Sequence, residues 1–400
     1  MLSPTNIISD FIAIIHEYRK SKEENTQVAS LLYKDDHWSI SFQPGSAERD
    51  IYFLCRSFLE YISPRCQEDI PDDILLSHLA LLAPQIPIDL LSVIQKILSS
   101  SLTDTDTVLN DLKEALTQTE KRDADTCESE GEWSAFFDTH IGLRKSQLGQ
   151  TNQDFFYLDT DGYQSIFIVA DGISVSSAGS GNLASNIAIN VIDHIWKEHK
   201  IKLIDLPEQE ITEFLISMLN SANYNICETS KQLAKNGLEN DIPMGTTIVV
   251  AYAYKDRVTL LSLGDSRIYL LNEGGPILLT GDHNVRGERL RLGHLLEDYD
   301  GGNALMRYLG YFNDKYEASL PKPEIRHFRI LPYERLLLCS DGYTDYVSHQ
   351  QHEICLAITE ATQDHLLHEG CWNLVRQANR NGGGDNITVI LAEYSPNACS

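Results

Sequence analysis

Two short apolar segments that each end in an Asp-Gly dipeptide constrain this fold most strongly. Residues 166–170 lead into Asp171-Gly172, and residues 336–339 lead through a serine into Asp341-Gly342. Both segments are too short for free-standing helices, and the first is rich in β-branched and aromatic residues, so both are predicted to be buried strands. Each strand would deliver a carboxylate to the rim of a rigid scaffold. The glycine would let another group approach the backbone closely.

Two further aspartates flank these strands in the chain. Asp154 ends the tripeptide Asn152-Gln153-Asp154 before the first strand, and Asp385 lies in Gly384-Asp385-Asn386 after the second. A single aspartate in such a setting is usually a solvated turn residue. The ordered set of four is the stronger signal, and we interpret it as a cluster that meets around metal ions. Oxygen ligands without histidine or thiolate suit Mg²⁺ or Mn²⁺ better than zinc.

The composition excludes several classes of protein. With 58 acidic against 32 basic residues, the net charge of −26 argues against nonspecific binding to nucleic acid or to an anionic membrane. The eight cysteines form no Cys-x-x-Cys pair, which favours reduced thiols in a cytoplasmic protein over a disulfide framework or a zinc site. None is followed six positions later by arginine, so a phosphatase with a cysteine nucleophile is unsupported. We predict no signal peptide and no transmembrane span, because no apolar run approaches roughly 18–20 residues.

The chain divides by composition into three regions. Residues 1–118 carry mostly helical periodicity, with a short strand possible at 38–42. They are expected to form a small domain that either only packs its own core or serves as a docking or regulatory module for a protein partner. Residues 119–132 are charged and almost free of apolar side chains, which is typical of a solvated linker. From residue 133 to 400, hairpins such as the one through Asp161-Gly162 alternate with helix pairs. This order predicts antiparallel sheets with helices on their outer faces.

An ordered series of motifs across residues 140–395 resembles the PPM family, the metal-dependent type 2C protein serine/threonine phosphatases, in its bacterial forms. The resemblance implies an α+β fold in which two antiparallel β-sheets form a sandwich with flanking helices. It also implies phosphoprotein substrates, whose phosphoserine or phosphothreonine is hydrolysed by a hydroxide that bridges two Mn²⁺ or Mg²⁺ ions. The motifs are Asn152-Gln-Asp154, Ala170-Asp-Gly172, Met244-Gly-Thr-Thr247, Gly264-Asp-Ser-Arg267, Ser340-Asp-Gly342 and Gly383-Gly-Asp-Asn386.

The resemblance assigns expected roles to single residues. Asp171 would bridge both ions, the carbonyl of Gly172 would help to hold one of them, and Asp154 would lie in the same cluster. The remaining ligands implied by position are Asp341 and Asp385 for the second ion, partly through water, and Asp265 for a third, weaker ion.

Three departures from the family pattern leave alternatives open. The glycine pair that usually follows the first Asp-Gly is absent, and Ile173 stands where eukaryotic members carry a histidine proposed as a general acid. The position of the phosphate-binding arginine is Gly149, so Arg144 is the candidate phosphate ligand only if an insertion separates it from Asn152. Arg144 could otherwise be a surface residue. The alternatives to an active protein phosphatase are a catalytically weak or dead binding module and a phosphatase of small phosphoesters.

Other residues near these motifs are expected to have structural roles. We expect His283 to be structural and Arg267 to stabilise its turn through a buried ion pair. The glycines at 382–384 precede a predicted strand and should form a tight turn that presents Asp385. The segment 284–322 occupies the place of the family's variable flap, where contact with substrate is expected.

Overall fold

The computed structural model describes residues 3–22, 26–34, 37–67, 69–99, 104–124, 131–173, 180–204, 206–235, 244–294 and 302–396. The chain forms two compact units, one of Met1–Cys127 with Gly287–Tyr299 and the other of Glu128–Arg286 with Asp300–Ser400. Among the described helices, none combines the length and apolarity that crossing a bilayer requires.

The N-terminal unit is mostly helical, as predicted, and it buries its own apolar core. Its helices include α1, whose buried face contains Ile8 and Phe11, and α2, where Phe58 stacks on Phe11 with ring centroids 4.7 Å apart. The strand predicted at 38–42 is confirmed, and it pairs with a strand that the sequence analysis missed. In chain order the elements are α1 (Pro4–Ser21), β1 (Thr26–Lys34), β2 (His37–Pro44), α2 (Asp50–Ile62), α3 (Asp72–Leu82), α4 (Ile88–Leu98) and α5 (Thr105–Asp123).

The linker predicted at 119–132 begins inside a helix, because α5 continues to Asp123. Its polar residues are not all solvated there. Arg122 forms a buried ion pair with Asp89 of α4 at 2.9 Å, and Thr119 donates a hydrogen bond of 3.0 Å to the same carboxylate. Composition alone could not distinguish such buried polar partners from solvated ones. Residues 125–130 of the predicted linker lie outside the described residues.

The second unit contains two five-stranded antiparallel sheets, which confirms the predicted α+β sandwich. One sheet has the strand order β10-β7-β6-β5-β4 and the other β3-β12-β11-β8-β9. The strands are β3 (Gly131–His140), β4 (Asp154–Thr160), β5 (Gln164–Asp171), β6 (Ile248–Tyr254), β7 (Arg257–Leu263), β8 (Arg267–Asn272), β9 (Gly275–Leu278), β10 (Glu324–Arg329), β11 (Arg335–Cys339) and β12 (Ile387–Pro396). The helices are α6 (Leu143–Gln147), α7 (Ser180–His199), α8 (Glu208–Lys235), α10 (Asp341–Val347), α11 (Gln351–Thr362) and α12 (Leu367–Arg380). Helix α9 (Val285–Arg291) begins in this unit and continues into the segment Gly287–Tyr299 of the first unit.

Strand β5 is buried on both faces, which explains its uninterrupted apolar sequence. Ile166, Ile168 and Ala170 pack in one core with the residues of α7 and α8. Phe167 points the other way, where its ring lies 5.7 Å from that of Trp133 on β3 of the second sheet. On the far side of that sheet, α11 and α12 pack in a second core against β11 and β12. Helices therefore cover the outer faces, and the two sheets contact each other between them.

Pairing register brings four strand ends to one edge of the sandwich. Strands β4 and β5 are antiparallel, so the beginning of β4 lies beside the end of β5. Strands β11 and β12 are also antiparallel, so the end of β11 lies beside the beginning of β12. The sequence motifs with aspartates occupy these same four ends.

Candidate metal centre

The four aspartates predicted to cluster come from both sheets. Asp154 is the first residue of β4 and lies directly opposite Asp171, the last residue of β5. Asp341 begins α10 two residues after the end of β11, and Asp385 lies two residues before β12. The hydroxyl of Ser340 links the sheets, because it donates a hydrogen bond of 2.7 Å to Asp154 Oδ2 and accepts one of 3.0 Å from the backbone N–H at position 388. The structure thus places these aspartates at one edge of the sandwich.

Two carboxylates of the cluster each carry a buried oxygen that receives no hydrogen bond. Asp154 Oδ1 and Asp341 Oδ1 are both buried without a hydrogen-bond partner in the described part of the chain. Burial raises the pKa of Asp154 to about 6. Burial, with the charges of Asp154 and Asp341, raises the pKa of Asp171 well above its usual value. Such a cluster repels itself unless a cation neutralises it, so its residues fit a metal site.

The donor set suits hydrated ions better than a closed protein cage. Within the described ranges, no group of three or more His, Cys, Asp or Glu side chains is placed so that it could hold a metal ion. Mg²⁺ commonly keeps several waters and takes only one or two carboxylates from the protein. Buried carboxylate oxygens without a hydrogen-bond partner, such as those of Asp154 and Asp341, are what such an ion needs.

Both Asp-Gly glycines are required by close backbone approach, which confirms the interpretation of the sequence. A Cβ atom on Gly172 would lie 2.3 Å from the carbonyl oxygen of Gly181 and 2.7 Å from that of Gln153. A Cβ atom on Gly342 would lie only 1.9 Å from the carbonyl oxygen of Asn386. Any larger residue would push the strand ends apart and separate the carboxylates they carry.

A second acidic group surrounds Asp265, the residue expected to bind a weaker ion. Burial, with the charges of Asp282 and Asp345, raises the pKa of Asp265 to about 7. The expected buried ion pair of Arg267 is confirmed: its guanidinium donates to both carboxylate oxygens of Asp282, at 2.9 and 2.8 Å. His283 is buried, and its Nδ1 accepts a hydrogen bond of 3.1 Å from the N–H of residue 264, which supports a structural role.

The glycine turn before β12 presents Asp385 as predicted. Gly382 and Gly383 have φ of 127° and 50°, a region that favours glycine, and the N–H of Gly383 donates to the carbonyl of Ala378 at 3.1 Å. Asp385 Oδ1 then accepts a hydrogen bond of 2.7 Å from the N–H of Asn386. The turn therefore fixes the backbone that carries this carboxylate.

A lysine that the sequence analysis did not select lies beside the aspartates. Lys145 Nζ forms an ion pair with Asp385 Oδ1 and donates a hydrogen bond of 3.1 Å to Asn386 Oδ1, and the lysine side chain is only 14% exposed. Arg144, the predicted phosphate ligand, has an exposed side chain, and its backbone N–H donates to the carbonyl of Gly383 at 2.9 Å. The two residues are neighbours on α6, where successive side chains point in different directions.

The way α6 packs on the glycine turn determines that Lys145, and not Arg144, points toward the aspartates. Gly142 precedes the helix with φ of 85°, and a Cβ atom there would lie 2.1 Å from the carbonyl oxygen of Asp385. The N–H of Leu143 donates to Asn379 Oδ1 at 2.9 Å. This contact between distant parts of the chain is invisible in the local sequence.

Comparisons with known proteins agree with this geometry. Residues 141–370 match the family model for protein phosphatase 2C. The serine/threonine phosphatase stp of Listeria monocytogenes is 33% identical over 238 residues, which cover 58% of this chain and 84% of that protein. Protein phosphatase PhpP of Streptococcus pneumoniae is 28% identical over 263 residues, which cover 64% of this chain and 96% of that protein.

Solved structures resemble the second unit. The serine/threonine phosphatase of S. agalactiae matches with a TM-score of 0.52 and 27% identity over 65% of this chain and 99% of its own. The catalytic domain of the phosphatase PstP, solved with two manganese ions, matches with a TM-score of 0.51 and 24% identity over 66% of this chain and 99% of its own. The sandwich and the sequence relatives define a metal-dependent serine/threonine phosphatase. The chain belongs to the protein phosphatase 2C family.

Proposed function

We propose that this chain hydrolyses phosphoserine and phosphothreonine in phosphoproteins at the aspartate cluster. The observation that carries the proposal is the pair of buried, unpartnered oxygens on Asp154 and Asp341 among carboxylates of raised pKa. When bound, Mn²⁺ or Mg²⁺ would lower the pKa of a water at this site far enough to supply hydroxide near neutral pH. The residues proposed to hold these ions are Asp154, Asp171, the carbonyl of Gly172, Asp341 and Asp385, with Asp265 for a third, weaker ion.

The phosphoryl group needs a cation from the protein, and the geometry favours Lys145 over Arg144. The Lys145 ammonium already lies at the aspartate cluster on Asp385, whereas the Arg144 side chain is exposed. A single ammonium can donate to a phosphoryl oxygen and to Asp385 at once, because it carries three donors. Arg144 remains the candidate that the family pattern implies, and the matched pair of alanine variants distinguishes the two.

Ile173 cannot donate a proton to the leaving group. It occupies the position after Asp171-Gly172, and its side chain is an alkyl group. The departing serine or threonine oxygen therefore takes its proton from water in this proposal. Such an enzyme should depend more strongly on the acidity of the leaving group than one with a built-in acid.

The direct test is phosphate release from a phosphothreonine peptide and from p-nitrophenyl phosphate. The full chain should release phosphate from both after addition of Mn²⁺ and from neither in EDTA. Release from p-nitrophenyl phosphate alone would indicate a phosphatase of small phosphoesters. Binding of Mn²⁺ without release from either compound would indicate a binding module.

For the N-terminal unit we propose a docking or regulatory role with a protein partner. The support is that its helices bury their own core and that all ten strands of the two sheets lie within residues 131–396.

We propose a cytoplasmic location because of the state of the cysteines. The six that the structure describes are all free and buried, as expected of a protein in a reducing compartment.

A further inference from the structure

We propose that Ile173, Gly245 and Tyr308 form an apolar shelf beside the metal centre that binds an apolar side chain of the substrate, two positions from the phosphorylated residue. The inference rests on the proposed function, since it assigns a peptide preference to the same site. Its three residues lie on three neighbouring backbone segments that extend the sheet past the ends of β5 and β6.

A short ladder holds these segments together. Thr246 pairs with Gly172 on one side and with Leu309 on the other, both in antiparallel fashion. Thr246 and Leu309 exchange two backbone hydrogen bonds, of 3.0 and 2.8 Å. The end of the predicted flap is therefore fixed to the strand end that carries the first Asp-Gly pair.

Alternation along the ladder places the shelf on the same side as Asp171. Leu309 packs in the core under α7 and α8, so Tyr308 points to the opposite side, which faces the second sheet. Ala170 also belongs to that helix-side core, so Asp171 and Ile173 both point to the side of Tyr308.

The missing side chain of Gly245 creates the surface. A Cβ atom at this position would lie 2.7 and 3.0 Å from two ring carbons of Tyr308 and 3.1 Å from Ile173 Cδ1. Both side chains thus border the same glycine, and both retain partial exposure. The ring of Tyr311 lies edge-on to that of Tyr308 with centroids 5.8 Å apart, which limits the movement of the shelf. The result is an apolar surface bounded by the side chains of Tyr308 and Ile173.

The spacing predicts which substrate residue meets the shelf. Ile173 follows Asp171 by two residues, and an extended chain advances about 7 Å over two residues. Consider a substrate peptide that lies in extended form beside residues 171–173. Its side chain two positions from the phosphoresidue points to the same side as the phosphoresidue and lies the same distance of about 7 Å along the chain. An aliphatic side chain such as leucine at that position would replace water on Tyr308 and Ile173. Burial of about half of a leucine side chain favours the complex about four- to twelvefold.

The test compares two phosphothreonine peptides that differ only at the positions two residues before and after the phosphothreonine, with leucine in one and serine in the other. The full chain with Mn²⁺ should show a kcat/KM about four- to twelvefold higher for the leucine peptide, mainly through a lower KM. Tyr308→Ala should bring the ratio close to one, and Tyr308→Phe should preserve it because the ring remains. Tyr163→Ala, which removes a 45% exposed ring at the distant hairpin turn of β4 and β5, is the matched control and should keep the wild-type ratio.

Gly245→Ala provides a second perturbation, because its new methyl group must displace the Tyr308 ring. If this variant does not fold, the two Tyr308 variants decide the question alone. Equal kcat/KM for both peptides in the wild type, or an unchanged ratio in Tyr308→Ala, would overturn the shelf while leaving the phosphatase proposal intact. Failure of the wild type to release phosphate from either peptide would instead overturn the proposed function.

Discussion

Replacing Lys145 with alanine should remove most of the catalytic efficiency while leaving the fold in place. The lysine ammonium lies at the aspartate cluster, where it pairs with Asp385 and donates to Asn386. A hydrogen bond from a charged donor contributes about 1.5–3 kcal/mol, which corresponds to a loss of about ten- to 150-fold in kcat/KM if the bond goes to the phosphoryl group.

The expected cost in stability is much smaller. Asp385 is 40% exposed, so its ion pair with Lys145 is partly screened by water and contributes no more than about 1 kcal/mol. Loss of the competing ammonium also leaves Asp385 free for a cation, so affinity for Mn²⁺ should not fall. The combination of a large kinetic effect with small effects on unfolding and metal binding is specific to a residue that contacts the substrate.

The assay is hydrolysis of one phosphothreonine peptide at saturating Mn²⁺ by the wild type, Lys145→Ala, Lys145→Arg and Arg144→Ala. Thermal unfolding and Mn²⁺ titration calorimetry accompany the kinetics. Arg144→Ala, one residue away on the same short helix, should retain kcat/KM within a factor of about three, as expected of an exposed side chain. A loss of activity confined to Arg144→Ala would refute the assignment and restore the arginine implied by the family pattern.

Three further results are expected. The pKa of Asp154 is raised to about 6 in the folded protein, against a pKa of about 4 for aspartate in the unfolded chain. Protonated Asp154 therefore stabilises the metal-free protein below about pH 4, and this stabilisation is lost as the pH rises through 6. The melting temperature in EDTA should fall between about pH 4 and 7, and addition of Mn²⁺ should restore it. Arg122→Ala leaves the buried Asp89 carboxylate without its cation. The free energy of unfolding of the N-terminal unit, measured in urea, should fall by about 3–5 kcal/mol, against less than about 0.5 kcal/mol for the neighbouring Lys121→Ala. Residues 128–400 should unfold cooperatively, with a melting temperature raised by Mn²⁺; insoluble or non-cooperative material would argue against a separable N-terminal unit.

The strands β5 and β11 and the glycines that follow them could be predicted from the sequence because two constraints coincide there. Residues 166–170 and 336–339 are apolar since each is buried, and the glycine after each aspartate is needed for close backbone contact. Strand β3 was missed for the opposite reason. It lies at the edge of its sheet and carries exposed residues, such as Glu132 and Phe136. Its sequence therefore lacks the regular alternation of apolar and polar residues that indicates a strand. Edge strands carry a weaker pattern than central ones.

Features set by contacts between distant residues could not be predicted. The choice between Arg144 and Lys145 depends on how α6 docks on the glycine turn, and local sequence does not encode that docking. The end of α5 depends on the buried Asp89, which holds two polar residues that composition assigns to a linker. The shelf at Tyr308 depends on the pairing of residues 246 and 309, which are far apart in sequence.

The proposed function requires these aspartates to hold the metal ions that drive phosphate release. The most direct test is phosphate release from a phosphothreonine peptide by Asp171→Asn at saturating Mn²⁺, with circular dichroism to show that the variant is folded. The predicted result is a folded protein that has lost Mn²⁺-dependent turnover, because Asp171 pairs directly with Asp154 in the sheet and the charges of Asp154 and Asp341 both act on its carboxylate. Turnover close to that of the wild type would contradict the assignment of this cluster as the metal centre.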